Sequence, residues 1–423
     1  MKESIYNVYL NKGEELIVYN TVTSAVLLLD DDNKLKFENF LKHNDEKYLD
    51  DELQTNLKKG GMIQDSDIDE LDLIKLQHNI GRLRSDSLSL TIAPTSDCNF
   101  RCPYCYESGI KHTYMNDDVI NDLYTFIENH KKQKINVSWY GGEPTLCMST
   151  IVKISKNLIQ KYGKDNYYAS MVTNGYLLTK DMAIVLKENN VNHVQITIDG
   201  DKAFHDKRRI FKDGSGTYDT IMKNIKNIYN ILPVIIRMNV DKTNISTAIN
   251  LIQDLKDNDL LDKVKFYIAP VQDINATQRN HNCFTQRDFS EYEMDFYNRI
   301  GKDYTMKPPM SNLGICGAIC LDSFVIAPDG ELYKCWDEIG RREFSIGNLR
   351  EGIKNYPNYI KWVTYDIEKY NKNCMKCVHL PTCYGGCPYR NIMGKADDNC
   401  LSFKYNGEQV IENLYHNKEI SKE

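Results

Sequence analysis

The sequence has no run approaching the eighteen apolar residues that a membrane helix needs, and its opening MKESIYNVYLNKGEE lacks the apolar core of an export signal. Both absences lead us to expect a cytoplasmic protein with no membrane partner. A basic surplus is missing too: 53 Lys and Arg stand against 59 Asp and Glu, a net charge of -6 that argues against a surface tracking nucleic-acid phosphates. The one dense basic run, HDKRR at 205–209, reads chiefly as a solvated loop. Internal repeats and low-complexity linkers are absent. At 423 residues, 41% hydrophobic and 26% charged, the chain has the composition of a globular protein of two or three domains.

Cysteine breaks this ordinary pattern. Of thirteen, three lie at 98–105 and eight between 316 and 400, which leaves only Cys147 and Cys283 isolated. Without an export signal these thiols belong to a reducing compartment, where clusters of them serve as metal ligands or catalysts more often than as bridges. The first group, SDCNFRCPYCYES, sets Cys98, Cys102 and Cys105 at unequal spacings. An odd trio leaves one sulfur unpaired, so a metal ion or an iron cluster suits it better than disulfides.

The pattern around the cysteines divides the chain in three. Residues 1–85 alternate in the manner of short antiparallel strands in SIYNVYL and EELIVYNTVTSAVLLLD, joined by the turn NKGEE. Helical stretches KLKFENFLK, YLDDELQTNLKKGG and IDELDLIKLQHNIGRL follow, the second stopped by Gly60 and Gly61. The module reads as a small winged-helix-like α+β cap. Residues 86–304 alternate strands with helices. The strands are LSLTIAP, INVSWYGG, YYASMVTN, HVQITID, VIIRMNVD and VKFYIAP, which predict a six-stranded parallel α/β sheet, either open and doubly wound or curved into part of a barrel. The cysteine trio, GGEP, TNG and DG follow the first four strands in turn, so four unusual loops share the end where ligands collect. In residues 305–423 alternation fades into cysteine, glycine and proline, and metal crosslinks would have to supply stability.

Three thiolates are one short of the four that a [4Fe-4S] cube takes, which leaves one iron for another ligand. On this trio, on GGEP and on the strand order, the chain resembles the radical S-adenosylmethionine (radical SAM) superfamily. The resemblance implies a partial (β/α)6 barrel in which Cys98, Cys102 and Cys105 hold the cluster, and the open iron takes S-adenosylmethionine. Reductive cleavage then yields a 5′-deoxyadenosyl radical. Tyr104 is the aromatic residue before the last ligand. Gly141, Gly142, Glu143 and Pro144 correspond to the element at the amino end of S-adenosylmethionine, where a carboxylate complements an ammonium group. Thr173, Asn174, Thr197, Asp199 and Arg209 fall where relatives place further cofactor contacts, with ordinary turn capping as the plainer alternative. Arg237 and Asn239 occupy alternate positions of one strand and share a face.

The spacing Cys320-x9-Gly330-x4-Cys335, then Cys374-x2-Cys377-x5-Cys383-x3-Cys387, then Cys400, resembles the SPASM extension, which holds two auxiliary [4Fe-4S] clusters. By that resemblance Cys316, Cys320, Cys335 and Cys387 serve the nearer cluster, and Cys374, Cys377, Cys383 and Cys400 the farther one. Seen alone, such pairs would equally build structural zinc sites. Sulfatase-maturing relatives carry an aspartate directly after the cysteine equivalent to Cys335, whereas here Trp336 intervenes before Asp337. With the N-terminal module, the parts resemble thioether-forming maturases of sactipeptides and ranthipeptides. That implies a Cys-rich precursor peptide whose leader binds the module, and an electron donor of flavodoxin or ferredoxin type. The alternatives are carbon–carbon crosslinking, epimerisation or sulfatase-type cysteine oxidation, and outside enzymes a metal-stabilised peptide-binding regulator.

Overall fold

The computed structural model describes residues 1–272, 282–301, 306, 308–309, 315–394 and 399–420, and the chain divides into two compact units. The first joins Met1–Arg84, Thr285–Cys316 and Tyr365–Glu423. Strands β1 (Lys2–Glu3) and β5 (Ile63–Gln64) pair antiparallel. Strands β2 (Asn7–Lys12), β3 (Glu15–Asn20) and β4 (Val26–Leu29) form a separate antiparallel sheet in that order. Alternation along β3 sends Leu16 and Val18 to one face and Ile17 and Tyr19 to the other. The first pair packs on Phe37, Phe40, Leu53 and Leu57 from the helices Asp31–His43 and Asp51–Gly60. The second packs on Met294, Phe403, Val410 and Ile411, so both faces are covered and β3 is apolar almost throughout. Asp30 and Asp50 cap the two helices by accepting from Asn33 N (2.9 Å) and Leu53 N (2.8 Å). Gly61 ends the second helix at φ +75°, a conformation that few other residues adopt.

The second unit, Ser85–Phe284 with Gly317–Thr364, is built on one sheet. Its strands are β6 (Ser87–Ile92), β7 (Lys134–Trp139), β8 (Tyr167–Thr173), β9 (Val191–Thr197), β10 (Val234–Val240) and β11 (Lys265–Pro270). They continue as β12 (Ser323–Ile326), β13 (Glu331–Tyr333), β14 (Gly347–Asn348) and β15 (Gly352–Ile353). The order is β11-β10-β9-β8-β7-β6-β12-β13-β14-β15, with β6 to β11 all parallel. Each of the six lies beside its predecessor and the winding never reverses. A doubly wound sheet requires a reversal at its switch point; without one, right-handed crossovers bring every helix to the same face. That is the arrangement of a partial barrel. The helix-facing positions, among them Leu88, Leu90, Ile135, Val137, Met171, Ile196, Ile236 and Met238, are buried. Alternate positions on the other face, Ser89, Thr91, Asn136, Ser138, Ser170, Gln195, Arg237 and Asn239, stay partly accessible.

Sequence alternation did not foresee that β12 would pair parallel with β6, Ser323 opposite Ser89, and turn through Gly330 (φ +85°) into β13. This hairpin carries the chain to Cys335. Among the described residues no helix is long and apolar enough to cross a membrane.

Ile17 is wholly enclosed, whereas Leu28 on the edge strand β4 keeps 43% of its surface exposed. Ile17→Ala should lower the unfolding free energy by about 2–5 kcal/mol in denaturant titrations, and Leu28→Ala by about 0.5 kcal/mol or less.

Candidate active site at the carboxyl ends of the parallel strands

The loop after β6 carries Cys98, Cys102 and Cys105 in tight successive turns, with Cys105 N donating to Cys102 O (3.2 Å) and Ser108 N to Cys105 O (3.1 Å). Its flank is seamed to a later segment: Arg101 N donates to Ile210 O (2.8 Å) and Lys212 N to Asn99 O (2.9 Å). Asn174 Nδ2, just past β8, reaches Asn99 Oδ1 at 2.8 Å and Cys98 Sγ at 4.0 Å. Burial pushes the Cys98 thiol up to about 12 and Cys105 to about 11, and raises Cys102 as well; the Arg209 guanidinium opposes the shift at all three. Any metal bound here must displace those protons.

The GGEP loop after β7 lies against the cysteine loop. Gly142 N donates to Thr95 O (3.1 Å) and Glu143 N to Asp97 O (2.8 Å). A Cβ on Gly142 would stand 2.1 Å from Asp97 O. One on Gly141, whose φ is +103°, would stand 2.5 Å from Thr95 O. Both oxygens of Glu143, which is 1% exposed, are taken by protein donors. Oε1 accepts from Thr145 N (3.0 Å), Thr145 Oγ1 (2.5 Å) and Thr173 Oγ1 (2.6 Å), and Oε2 from Asn174 N (2.7 Å). In this structure the carboxylate ties two loops together. Pro144 is buried and opens the 3-10 turn Pro144–Cys147, and Cys147 is a buried core thiol.

The basic run is not a solvated loop. Lys202–Arg208 is helical, and Arg208 is 8% exposed because two carboxylates receive it. Its Nη1 lies 2.7 Å from Asp241 Oδ2 and its Nε 3.3 Å from Asp199 Oδ2. Its guanidinium sits 4.7 Å from the centre of the Tyr104 ring. Tyr104 Oη donates to Asp199 Oδ2 (2.5 Å) and accepts from Arg209 Nη1 (2.7 Å). Beneath them His205 is held neutral by burial. Its Nδ1 accepts from Asp199 N (3.2 Å), so Nε2–H donates to Thr217 Oγ1 (3.0 Å), which in turn donates to Arg209 O (2.7 Å). Asn99, Arg208, His205, Thr217 and Asp241 were missed as contributors. For Asp241 the available signal was an acid directly after a strand, as at Asp199.

On the accessible face Arg237 Nε donates to Asn239 Oδ1 (2.9 Å), so the expected sharing of a face is present, and Thr197 pairs beside Arg237. Past β7, Tyr140 stacks on Trp336, centroids 5.8 Å apart and planes 13° apart, although Trp336 keeps half its surface exposed. Burial raises Asp337 to about 6 and Glu107 to about 7.

Four of the later cysteines come together. Cys374, Cys377, Cys383 and Cys400 line one cavity, with His379 and Lys404 beside them and Lys404 Nζ 3.4 Å from Cys400 Sγ. Gly385 and Gly386, at φ +83° and +77°, form the loop after Cys383, and Asn399 Nδ2 clamps it through Gly385 O (3.0 Å) and Cys387 O (2.9 Å). Of the other four, Cys320 and Cys335 belong to the second unit and Cys316 and Cys387 to the first. Lys334, 2% exposed, bonds Cys320 O and Ser323 O at 2.5 Å each and so ties the Cys320 turn to the residue before Cys335.

Residues 92–255 match the Radical SAM superfamily. The chain contains a radical SAM domain. It is 28% identical over 372 residues to the cysteine-type anaerobic sulfatase-maturating enzyme of Clostridium novyi, covering 78% of this chain and 96% of that one. It is 25% identical over 368 residues to the radical SAM cyclopropyl synthase TigE of Paramaledivibacter caminithermalis, 77% and 74% of the two chains. Among solved structures, anSMEcpe with bound AdoMet superposes with a TM-score of 0.61 at 21% identity, over 78% of this chain and 96% of that one. Streptococcus suis SuiB bound to precursor peptide SuiA superposes at 0.53 and 16%, over 95% and 98%. The protein is thus a radical SAM enzyme related to sulfatase maturases. The domain implies a [4Fe-4S] cluster that works with S-adenosylmethionine.

The residues present fit that group. Beside the trio, Asn99 Nδ2, Asp199 Oδ1 and Arg209 Nε are buried polar atoms without a hydrogen-bond partner. Among the described residues no three Cys, His, Asp or Glu side chains converge as the ligands of one ion do. The thiolates of a cube each take a different iron and ring a volume instead of a point.

Because the contact made by Gly142 is with backbone oxygen, no side-chain rotation can relieve an added methyl. Gly142→Ala should part the GGEP and cysteine loops and lower the iron retained after anaerobic reconstitution, read by iron assay and visible absorption. Glu338 offers a pH test. It is fully buried, with Oε1 3.5 Å from Lys361 Nζ and Oε2 without a partner, and burial raises it to about 7. A folded-state value above the unfolded one makes the native state bind the extra proton, so stability falls as pH rises from about 4.5 to 7. Glu338→Gln should remove up to about 3 kcal/mol of that fall in urea titrations at pH 5 and pH 7.5.

Proposed function

We propose that the protein modifies a cysteine-containing peptide by radical chemistry, and that its substrate is a ribosomally made, Cys-rich precursor in which a cysteine sulfur becomes linked to carbon. Cys98, Cys102 and Cys105 would hold the cluster. Cys316, Cys320, Cys335 and Cys387 would hold one auxiliary cluster, and Cys374, Cys377, Cys383 and Cys400 another. When bound, the first cluster and S-adenosylmethionine supply a hydrogen-abstracting radical after one-electron reduction by a flavodoxin- or ferredoxin-type donor. The chain's own part is to place that chemistry. The Glu143 bonds fix the loops after β7 and β8 against the cysteine loop, and Arg237 with Asn239 offers donors on the accessible face for an anionic group.

The observation that carries the precursor reading is the three-stranded sheet of the first unit. Its edge strand β4 bonds only β3 within that sheet and exposes Leu28, an edge to which an extended leader could add a strand. The fold of SuiB, a protein solved with its precursor peptide SuiA, spans 95% of this chain, against 78% for anSMEcpe. One observation favours a second reading, sulfatase-type oxidation of a protein cysteine. Asp337 is 8% exposed and stands two residues past Cys335, near where such relatives carry their aspartate, and the sulfatase maturases match at 28% and 25% identity.

Anaerobic incubation of the iron-reconstituted protein with dithionite and S-adenosylmethionine should release 5′-deoxyadenosine; none released would end both readings. With a Cys-rich precursor added, mass spectrometry should show loss of two hydrogens per link, retained at a cysteine on fragmentation. A linear product bearing an oxidised cysteine would instead select the second.

A further inference from the structure

Two arginines stand side by side at the end of the helix Lys202–Arg208, and the structure treats them differently. Arg208 is neutralised by Asp199 and Asp241. Arg209 has no carboxylate within ion-pair distance among the described residues. Its Nη1 is tethered to the uncharged Oη of Tyr104 at 2.7 Å, its Nε is buried without a partner, and the Phe100 ring lies 5.6 Å from its guanidinium carbon. Both aromatic residues belong to the cysteine loop, and that loop is seamed to Ile210 and Lys212 on the far side of Arg209. The charge cannot easily turn away, because Thr217 holds the Arg209 carbonyl and the residue's own N–H bonds His205 O (2.8 Å).

We propose that Arg209 sets the reduction potential of the cluster held by the cysteine trio: its charge, bonded directly to no carboxylate among the described residues and fixed beside the three sulfurs, favours the reduced cluster. The step concerned is the entry of one electron from an external low-potential donor; no bond forms or breaks. Reduction adds a negative charge to a group already bound by three thiolates, and a cation held in a poorly polarisable surrounding stabilises the more negative form. Arg208 cannot do the same, since it is paired directly with two carboxylates and that group carries no positive surplus. The inference rests on the trio's role as cluster ligand, which is tested separately by the iron content of a Cys98→Ala, Cys102→Ala, Cys105→Ala protein.

The test is a potentiometric titration of full-length, reconstituted protein followed by electron paramagnetic resonance, without S-adenosylmethionine, so that no contact between Arg209 and that molecule contributes. The signal missing from the triple-alanine protein identifies the first cluster. At the potential that half-reduces the wild type, R209Q should show about threefold or more less reduced signal, and R209K, which keeps the charge, a loss of about twofold or less. An unchanged midpoint in R209Q, or equal shifts in R209Q and R209K, would overturn the proposal. Should R209Q retain too little iron, Tyr104→Phe decides. It keeps the charge but cuts its tether, and its midpoint must move part of the way to more negative potential; an unmoved midpoint there overturns the proposal as well.

Discussion

The buried carboxylate of Glu143 is the constraint on which the site depends. An ionised carboxylate removed from water costs several kcal/mol unless its lone pairs are met by donors. Here four donors meet it, two from its own turn and two from the end of β8. Satisfying that charge couples the loops after β7 and β8, and the Gly142 and Glu143 amides couple both to the loop after β6. The cysteine loop has little regular structure of its own. It is positioned from outside, by loops whose strands are packed into the best-buried part of the molecule.

The same logic runs through the charged cluster below. Asp199 ends β9 and Asp241 follows β10, and Arg208 between them stitches the two strand ends together. Tyr104 then fastens the cysteine loop to Asp199, while a neutral histidine and a threonine pass the order on to the Arg209 carbonyl. The links from Arg208 to Asp241 and from Tyr104 to Asp199 and Arg209 join segments that are distant in sequence but adjacent at the strand ends, as a site assembled from successive βα loops requires.

This explains what could be read from the sequence. The six parallel strands emerge within three residues of the segments read from alternation, because period and turn residues are local signals. The four loops that follow them were legible for the same reason. Arg208 was not. A basic run looks solvated when only its neighbours are counted, and its two partners lie nine residues before and thirty-three residues after it. Strand β12 was hidden because its partner is β6, more than two hundred residues earlier, and only pairing makes four residues a strand. In the first unit, the helix that covers Ile17 and Tyr19 begins at Phe403, and no local pattern announces such a partner.

The accessible face of the parallel sheet is the last element to place. Strands in a parallel sheet are commonly buried on both sides and read as continuous apolar runs, and a closed barrel fills its interior with branched side chains. Here Ser89, Thr91, Asn136, Ser138, Ser170, Gln195, Arg237 and Asn239 interrupt the runs at alternating positions, and all remain partly accessible. Small polar groups in a dry core would each need a partner, whereas facing water they cost little. The alternation therefore divides the labour of the sheet. The helix side, with Leu88, Val137, Met171, Ile196 and Met238 sealed from solvent, holds the fold together. The opposite side is left wet and polar, so a ligand entering there could exchange water for Arg237, Asn239 and their neighbours without unpacking a core.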